Sequence, residues 1–356
     1  METHAGAQGA PPLHNGRRDD VVGRFAPTPS GRMHLGNAFS ALMAWASARS
    51  CGGRMVLRIE DLDPRAQSRK DSDQLMLDLL WLGLDWDEGP FYQSERRDVY
   101  DAAVDRLCDK GLLYPCFCSR SELHAACAPH ASDGSYVYAG TCRDLSREEV
   151  AAKSRARKPA LRLRVPRPQD EGDLVRFEDL GYGWRQESLS GECGDFLVRR
   201  SDGVIAYQLA VVVDDALMGV TQVVRGRDLL GSVGRQRYLA RLLGFEPPCC
   251  GHVPLLVAAD GRRLSKRDND LDLGALRERG VRPEQVVGLL ASKLGLAAEG
   301  EEISAQELAA RFGWDAVRAH RADIVVGDGP CPWRSCPDVR NSPRASRPDH
   351  ETNNLS

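Results

Sequence analysis

Two short stretches carry the side chains best suited to handling a polyphosphate. The first runs Arg24-Phe25-Ala26-Pro27-Thr28-Pro29-Ser30-Gly31-Arg32-Met33-His34-Leu35-Gly36-Asn37. Here a β-prone run breaks into a loop stiffened by Pro and Gly and passes into an apolar helical stretch. Amides at such a helix start can meet phosphate oxygens. Gly36 lets an adenine ring approach the backbone, and His34 can donate to charge building on an α-phosphate. The second stretch is Gly261-Arg262-Arg263-Leu264-Ser265-Lys266-Arg267-Asp268. A mobile loop carrying cations can fold over a triphosphate and neutralise the charge of a departing pyrophosphate. Each stretch alone has a plainer reading, as loop punctuation or as a solvated basic turn.

Together, about 230 residues apart and each flanked by a strand, the stretches resemble the "HIGH" and "KMSKS" regions of class I aminoacyl-tRNA synthetases. The form is that of the glutamyl/glutaminyl branch. The resemblance implies catalytic roles for His34 and Lys266 and ATP contacts from Gly36, Asn37, Arg263, Ser265 and Lys266, with Mg²⁺ accompanying the ATP. Two departures stand out. Asn37 replaces the final His of the first pattern and cannot carry its charge. Arg263 replaces the first Lys of the second and changes the geometry of its contact.

Three further pieces fit the same branch: Arg58-Ile59-Glu60-Asp61-Leu62-Asp63-Pro64, Ala206 to Asp215, and Val223-Val224-Arg225-Gly226-Arg227-Asp228-Leu229. The resemblance places Arg24, Phe25, Ala26, Pro27, Thr28, Glu60, Tyr207 and Arg225 around L-glutamate. Glu60 and Tyr207 would serve its backbone groups and the two arginines its carboxylates. The chemistry agrees, because an Arg fork pairs with a carboxylate in a bidentate manner. In the competing reading, Arg24 and Arg225 are ion-pair partners of Glu60 and Asp228 with no ligand.

Cys116, Cys118 and Cys142 lie within 27 residues, and three thiolates suit a tetrahedral Zn²⁺. General spacing nominates His124, Cys127 or His130 as the fourth ligand. Resemblance to the glutamyl-queuosine-tRNA(Asp) synthetase family, with its C-x-C…Y-x₃-C pattern, instead implies the Tyr138 oxygen. Reduced thiols without metal are the plain alternative. The same resemblance implies that the acceptor is tRNA(Asp) bearing queuosine, with no tRNA required for glutamate activation. Only 90 residues follow Lys266, too few for the large helical anticodon-binding region of a full glutamyl-tRNA synthetase. A shortened synthetase charging a tRNA 3′ end, or an inactive paralogue binding RNA or a metabolite, are the rivals.

These residues need a scaffold, and the pattern supplies one. Strands at Val21 to Ala26 and Arg54 to Glu60 alternate with helices at Leu35 to Ser50 and Asp71 to Leu84, which implies parallel α/β architecture. A helix follows from Ser94 to Gly111 and a strand around Leu161 to Val165, and Asp195 to Val212 reads as a hairpin turning at Asp202-Gly203. The rhythm resumes with a strand at Thr221 to Val224, a helix at Ser232 to Leu243 and a strand at His252 to Val257. The expected fold is therefore α/β, a Rossmann-type parallel sheet split by an inserted zinc-containing region, with a short helical C-terminal part. The expected divisions are a disordered leader at 1–20, half-domains at 21–115 and 195–270, and the insertion at 116–194. Helices occupy 271–321 and a disordered tail 322–356.

The 356 residues are 42% apolar and 28% charged, with a formal charge of −3. That balance is ordinary for a globular chain, and no global basic field points to nucleic acid, so a tRNA-handling face would be a local patch. No apolar run reaches the roughly 18 residues of a spanning helix, and Met1 to Asp20 lacks the apolar core of a secretory signal. A cytoplasmic monomer is the expectation, with Cys51, Cys108 and Cys193 as buried thiols.

Overall fold

The computed structural model of the protein describes residues 21–29, 31–119, 122, 137–258, 261–262 and 272–326. The expected leader at 1–20 and the stretch from 327 onward lie outside them. The first half runs β1 (Val22–Phe25), α1 (Leu35–Arg49), β2 (Arg54–Ile59), α2 (Arg69–Trp81), β3 (Glu88–Tyr92) and α3 (Arg97–Asp109). β1, β2 and β3 pair in parallel, in that order. Parallel pairing requires crossovers, and α1 and α2 supply them.

Next come β4 (Leu113–Cys116), α4 (Arg147–Ala156), β5 (Ala160–Leu163), β6 (Leu174–Asp179), β7 (Gly183–Ser188) and β8 (Phe196–Arg199). β4, β5 and β8 form a small antiparallel sheet. The β6–β7 hairpin instead extends the second parallel sheet, where β6 meets β10 at Asp179 and Cys250.

The second half comprises α5 (Tyr207–Leu217), β9 (Gln222–Gly226), α6 (Val233–Leu242), β10 (Cys249–Val253) and β11 (Leu256–Val257). It closes with α7 (Leu273–Glu278), α8 (Pro283–Ser292), α9 (Ala305–Arg311), α10 (Trp314–Ala319) and β12 (Ile324–Val325). β9 and β10 are parallel neighbours. The two sheets abut where Thr221 N donates to Val22 O at 3.0 Å and Val22 N donates to Thr221 Oγ1 at 2.9 Å. β1 thus has β2 on one flank and β9 on the other. A strand-order reversal of this kind opens a crevice at the carboxyl ends of the strands.

Four expectations need correction. The segment read as the second arm of a hairpin is α5. Its β-branched run Val211-Val212-Val213 is buried together with Leu209 and Ala210, and that burial overrides the β preference of Val. The strand expected from His252 to Val257 instead starts at Cys249 and stops before Pro254, which has no N–H to give a ladder. The chain resumes at β11, paired in parallel with β12, so residues 324–325 are structured where composition suggested a tail. Among the single cysteines, Cys193 is buried as expected, but Cys51 is half-buried and Cys108 is exposed.

The core centres on α1, where Leu35, Phe39, Leu42, Met43, Trp45 and Ala46 are all buried. A helix apolar on most of its faces must be covered on most of them, and α1 packs against β1, β9 and α9. No described helix is long and apolar enough to cross a membrane.

At the start of α6 the buried Glu187 carboxylate accepts from Gly234 N at 2.8 Å. Burial pushes this acid up to about 7, and the Gly234 hydrogen bond only partly opposes the rise. The unfolded chain releases the same proton near the ordinary value of about 4.3. Folding therefore binds a proton between those values, and stability falls as pH rises through that window. Glu187→Gln keeps an oxygen for Gly234. We expect it to raise stability at pH 8 on the order of 1–3 kcal/mol, with the gain shrinking toward pH 5. Urea midpoints at the two pH values measure this, and a gain independent of pH would contradict it.

Candidate active site

The crevice at the β1–β9 junction is a cleft of about 500 Å³, within the usual range for small-ligand sites. Its lining includes Arg24, Phe25, Ala26, Pro27 and Thr28 from the end of β1, Glu60 after β2, Tyr207 at the start of α5 and Arg225 on β9. All eight residues expected around the amino acid therefore meet here, and Asn37 on α1 lines the same space. Tyr207 is 38% exposed although its helix is largely buried.

His34 and Gly36 sit at the start of α1 and are not among the lining residues. His34 is the N-cap, and its Nδ1 accepts from Asn37 N at 3.4 Å. An accepting Nδ1 leaves the ring proton of a neutral imidazole on Nε2, the nitrogen that would donate. A Cβ on Gly36 would meet the His34 ring at 3.2 Å, so this glycine also makes room for the imidazole. Arg263, Ser265 and Lys266 lie outside the described residues.

The cations are held by a buried network. Arg58 is fully buried. Its Nη1 donates to Asp215 Oδ1 at 2.6 Å and its Nη2 to Glu60 Oε1 at 3.1 Å, and its Nε lies 3.7 Å from Asp214 Oδ2. Burial works against the Arg58 charge, but Asp215, Glu60 and Asp214 outweigh it and hold its pKa above the ordinary value. Asp214 also accepts from Gln93, Arg96 and Tyr100 at 2.7, 2.8 and 2.8 Å. Burial raises Glu60 above the usual carboxylate value despite the nearby Arg58 and Arg24.

Arg24 donates through Nη1 to Val224 O at 3.2 Å, and its Nε lies 3.7 Å from Asp215 Oδ1. Burial lowers its pKa. Asp215 opposes this, while the charges of Arg58 and Arg225 add to it. Arg225 donates through Nε to His252 Nε2 at 3.0 Å, and through Nη2 to Leu229 O at 3.1 Å and Gln236 Oε1 at 2.9 Å. Arg24 Nη2 and Arg225 Nη1 thus have no hydrogen-bond partner among the described residues. Neither arginine is taken up by the partner that a purely structural reading would give it. Glu60 is engaged by Arg58, and Arg225 by His252, Leu229 and Gln236. Two crowded cations, each with an uncommitted nitrogen in one cleft, suit a ligand with two negative groups.

Sequence reading missed Arg58, Asp215, His252, Asp179 and Gln236 as parts of the site. Arg58 and His252 lie on strand interiors, and their partners are 157 and 73 residues away in the chain. No spacing rule reaches that far.

The cysteine cluster lies apart, at the end of β4. The Sγ atoms of Cys116, Cys118 and Cys142 all fall within 4.8 Å of one another. Tyr138 Oη is 3.6 Å from Cys116 Sγ and 3.5 Å from Cys118 Sγ, and Cys118 Sγ is 3.6 Å from Cys142 Sγ. A tetrahedral zinc with Zn–S of about 2.3 Å and Zn–O of about 2.0 Å sets S–S edges near 3.8 Å and S–O edges near 3.5 Å. The four donors therefore fit such an ion. Their surroundings pull in different directions: burial above all, with the neighbouring thiols, raises the Tyr138 phenol, burial pushes the Cys118 thiol up to about 11, and Cys116 is lowered. Cys142 N donates to Tyr138 Oη at 2.8 Å, Arg162 Nε donates to Cys116 Sγ at 3.3 Å, and the Arg162 guanidinium lies 3.8 Å from the Tyr138 ring centre. Burial tends to raise the Cys116 thiol, but the Cys118 amide and Arg162 prevail and lower it. His124, Cys127 and His130 lie outside the described residues.

Comparison with known proteins shows the family. Residues 20–325 match the family described as tRNA synthetases class I (E and Q), catalytic domain. The chain is 51% identical over 319 residues to a glutamyl-Q tRNA(Asp) synthetase of Symbiobacterium thermophilum, covering 86% of this chain and 96% of that protein. It is 48% identical over 312 residues to the protein of that name from Nocardia farcinica, covering 86% of this chain and 93% of that protein. The structure resembles a glutamate tRNA ligase from Elizabethkingia meningosepticum in complex with its amino acid. There the TM-score is 0.71 at 26% identity, covering 86% of this chain and 67% of that one. From the crevice beside β1 to the family match along nearly its whole described length, the chain belongs to the class I aminoacyl-tRNA synthetases, in their glutamate and glutamine branch.

Proposed function

We propose that the protein activates L-glutamate with ATP and transfers it to queuosine in the anticodon of tRNA(Asp), with activation requiring no tRNA. The observation that carries the first step is the cleft in which Arg24 Nη2 and Arg225 Nη1 have no hydrogen-bond partner among the described residues, beside Glu60 and Tyr207. The choice of acceptor rests on the close relatives named for glutamyl-Q tRNA(Asp) synthetase activity.

In this reading the arginines take the two carboxylates of glutamate, and Glu60 and Tyr207 meet its ammonium group. An α-carboxylate oxygen attacks the α-phosphorus of ATP, the bond to the bridging oxygen breaks, and pyrophosphate leaves. His34 and the amides at the start of α1 stabilise charge on the α-phosphate, and Lys266 and Arg263 contact the departing phosphates, with Mg²⁺ accompanying the nucleotide. A queuosine hydroxyl then attacks the mixed anhydride and AMP leaves. ATP–pyrophosphate exchange without tRNA tests activation. Exchange with glutamate, and at least tenfold less with glutamine or aspartate, is expected. No exchange from folded, zinc-loaded protein would favour a non-catalytic binder.

Cys116, Cys118, Tyr138 and Cys142 would hold one structural Zn²⁺, which when bound ties β4 to the segment ending at Cys142. Metal analysis should find one zinc per chain, lost in Cys142→Ser. Tyr138→Phe should keep the metal but release it to a chelator about tenfold faster or more, since one of four ligands is gone. Equal release rates would remove Tyr138 from the ligand set.

A further inference from the structure

Arg225 is gripped from behind by a hydrogen-bond chain that enters the second sheet from the inserted hairpin. His252 and Asp179 are both buried, at 0% and 1% exposure. His252 Nδ1 lies 2.5 Å from Asp179 Oδ2, and its Nε2 lies 3.0 Å from Arg225 Nε. The tautomer follows from the chemistry. Arg225 Nε–H can only donate, so His252 Nε2 must accept, and the ring proton sits on Nδ1, pointing at Asp179. Asp179 Oδ1 is meanwhile occupied by three amides, those of Gly181, Tyr182 and His252, at 3.0, 2.9 and 3.2 Å. Asp179 is therefore fixed in orientation and presents only Oδ2 to the ring.

We propose that Asp179 and His252 are positioning residues of the amino-acid cleft, which set the imidazole tautomer that clamps Arg225 through Nε and so leave Nη1 for the substrate carboxylate. This rests on the reading of Arg225 as a substrate arginine. It also gives the β6–β7 hairpin a part in amino-acid recognition. β6 meets β10 only at Asp179 and Cys250, and at that point the hairpin supplies the carboxylate that orders the cleft arginine.

The chain makes a sharp prediction about Asp179→Asn, a nearly isosteric change. The three amides retain Oδ1, so the new amide nitrogen faces His252 Nδ1 as a donor. The imidazole must then carry its proton on Nε2, where it opposes Arg225 Nε–H. Removing the correct tautomer while keeping the shape is known to be costly in buried Asp–His pairs. We expect Asp179→Asn to raise the glutamate KM in pyrophosphate exchange about 10- to 100-fold, as loss of an outer-shell partner does elsewhere, with kcat and the ATP KM moving less than threefold. In ¹⁵N spectra the His252 ring should change from the Nδ1–H to the Nε2–H form.

His252→Gln can place an amide oxygen where Nε2 stood, whereas His252→Leu cannot. The glutamine variant should recover at least tenfold of the KM lost in the leucine variant. If Asp179→Asn does not fold, this pair decides the question, and equal losses would overturn the proposal. A glutamate KM within threefold of the parent in folded Asp179→Asn would also overturn it, provided Arg225→Ala shows a large rise. If Arg225→Ala itself leaves the glutamate KM unchanged, the reading of the cleft fails first and the positioning role falls with it.

Discussion

Arg225→Ala should raise the glutamate KM about 10²-fold or more and leave the ATP KM within threefold, because cutting one partner from a buried charge pair costs about 2–5 kcal/mol. The size follows from the environment. Arg225 is only 7% exposed, its Nε and Nη2 are spent on protein acceptors, and a carboxylate meeting Nη1 would do so largely shielded from water. A charge-assisted hydrogen bond in such a place is stronger than a neutral one. Since the contact exists before and during reaction, its loss should fall mainly on KM. Steady-state pyrophosphate exchange at varied glutamate and at varied ATP separates the two. Equal rises in both KM values would mean that the substitution has disturbed the cleft as a whole.

Arg58→Met should destabilise the protein by about 3–5 kcal/mol, the usual loss when one member of a buried ion-pair network is removed. Methionine fills much of the same space, so a cavity is not the main cause. Asp214 keeps Gln93, Arg96 and Tyr100, and Asp215 keeps the longer contact to Arg24. Glu60 loses the one side chain that donates to it among the described residues. Burial already holds Glu60 above the usual carboxylate value, and losing Arg58, the strongest influence opposing that rise, raises it further. Its penalty is present above the raised value and relieved as pH falls through it, so the loss should be larger at pH 8 than at pH 5.5. Urea denaturation at both pH values measures it. A loss below about 1 kcal/mol at pH 8 would show that the network is not a stabilising centre.

Local pattern carried a good part of the structure. Helix spacing around Leu75 and Leu79, and the alternation of Met55, Leu57 and Ile59, fixed α2 and β2 because one buried face imposes its own period. The loop from Arg24 to Thr28 reads as the end of a strand and lines the cleft, and the grouping of Cys116, Cys118, Tyr138 and Cys142 was legible from spacing together with family likeness. What failed depended on neighbours distant in sequence. Val211 to Val213 carries a strand's local preference but is covered on a buried helix face, so local propensity gave the wrong element. The clamp on Arg225 uses Gln236, His252 and Asp179, three residues from α6, β10 and β6, whose meeting depends on how the hairpin joins the second sheet.

The acceptor is the central claim, and one assay addresses it. The protein is incubated with labelled glutamate, ATP and tRNA(Asp), isolated once with queuosine in its anticodon and once without. Label should appear only on the queuosine-containing tRNA and should still appear when the 3′-terminal adenosine has been removed beforehand. Label on both tRNAs, with none once the 3′-terminal adenosine is removed, would identify instead an enzyme that charges the 3′ end.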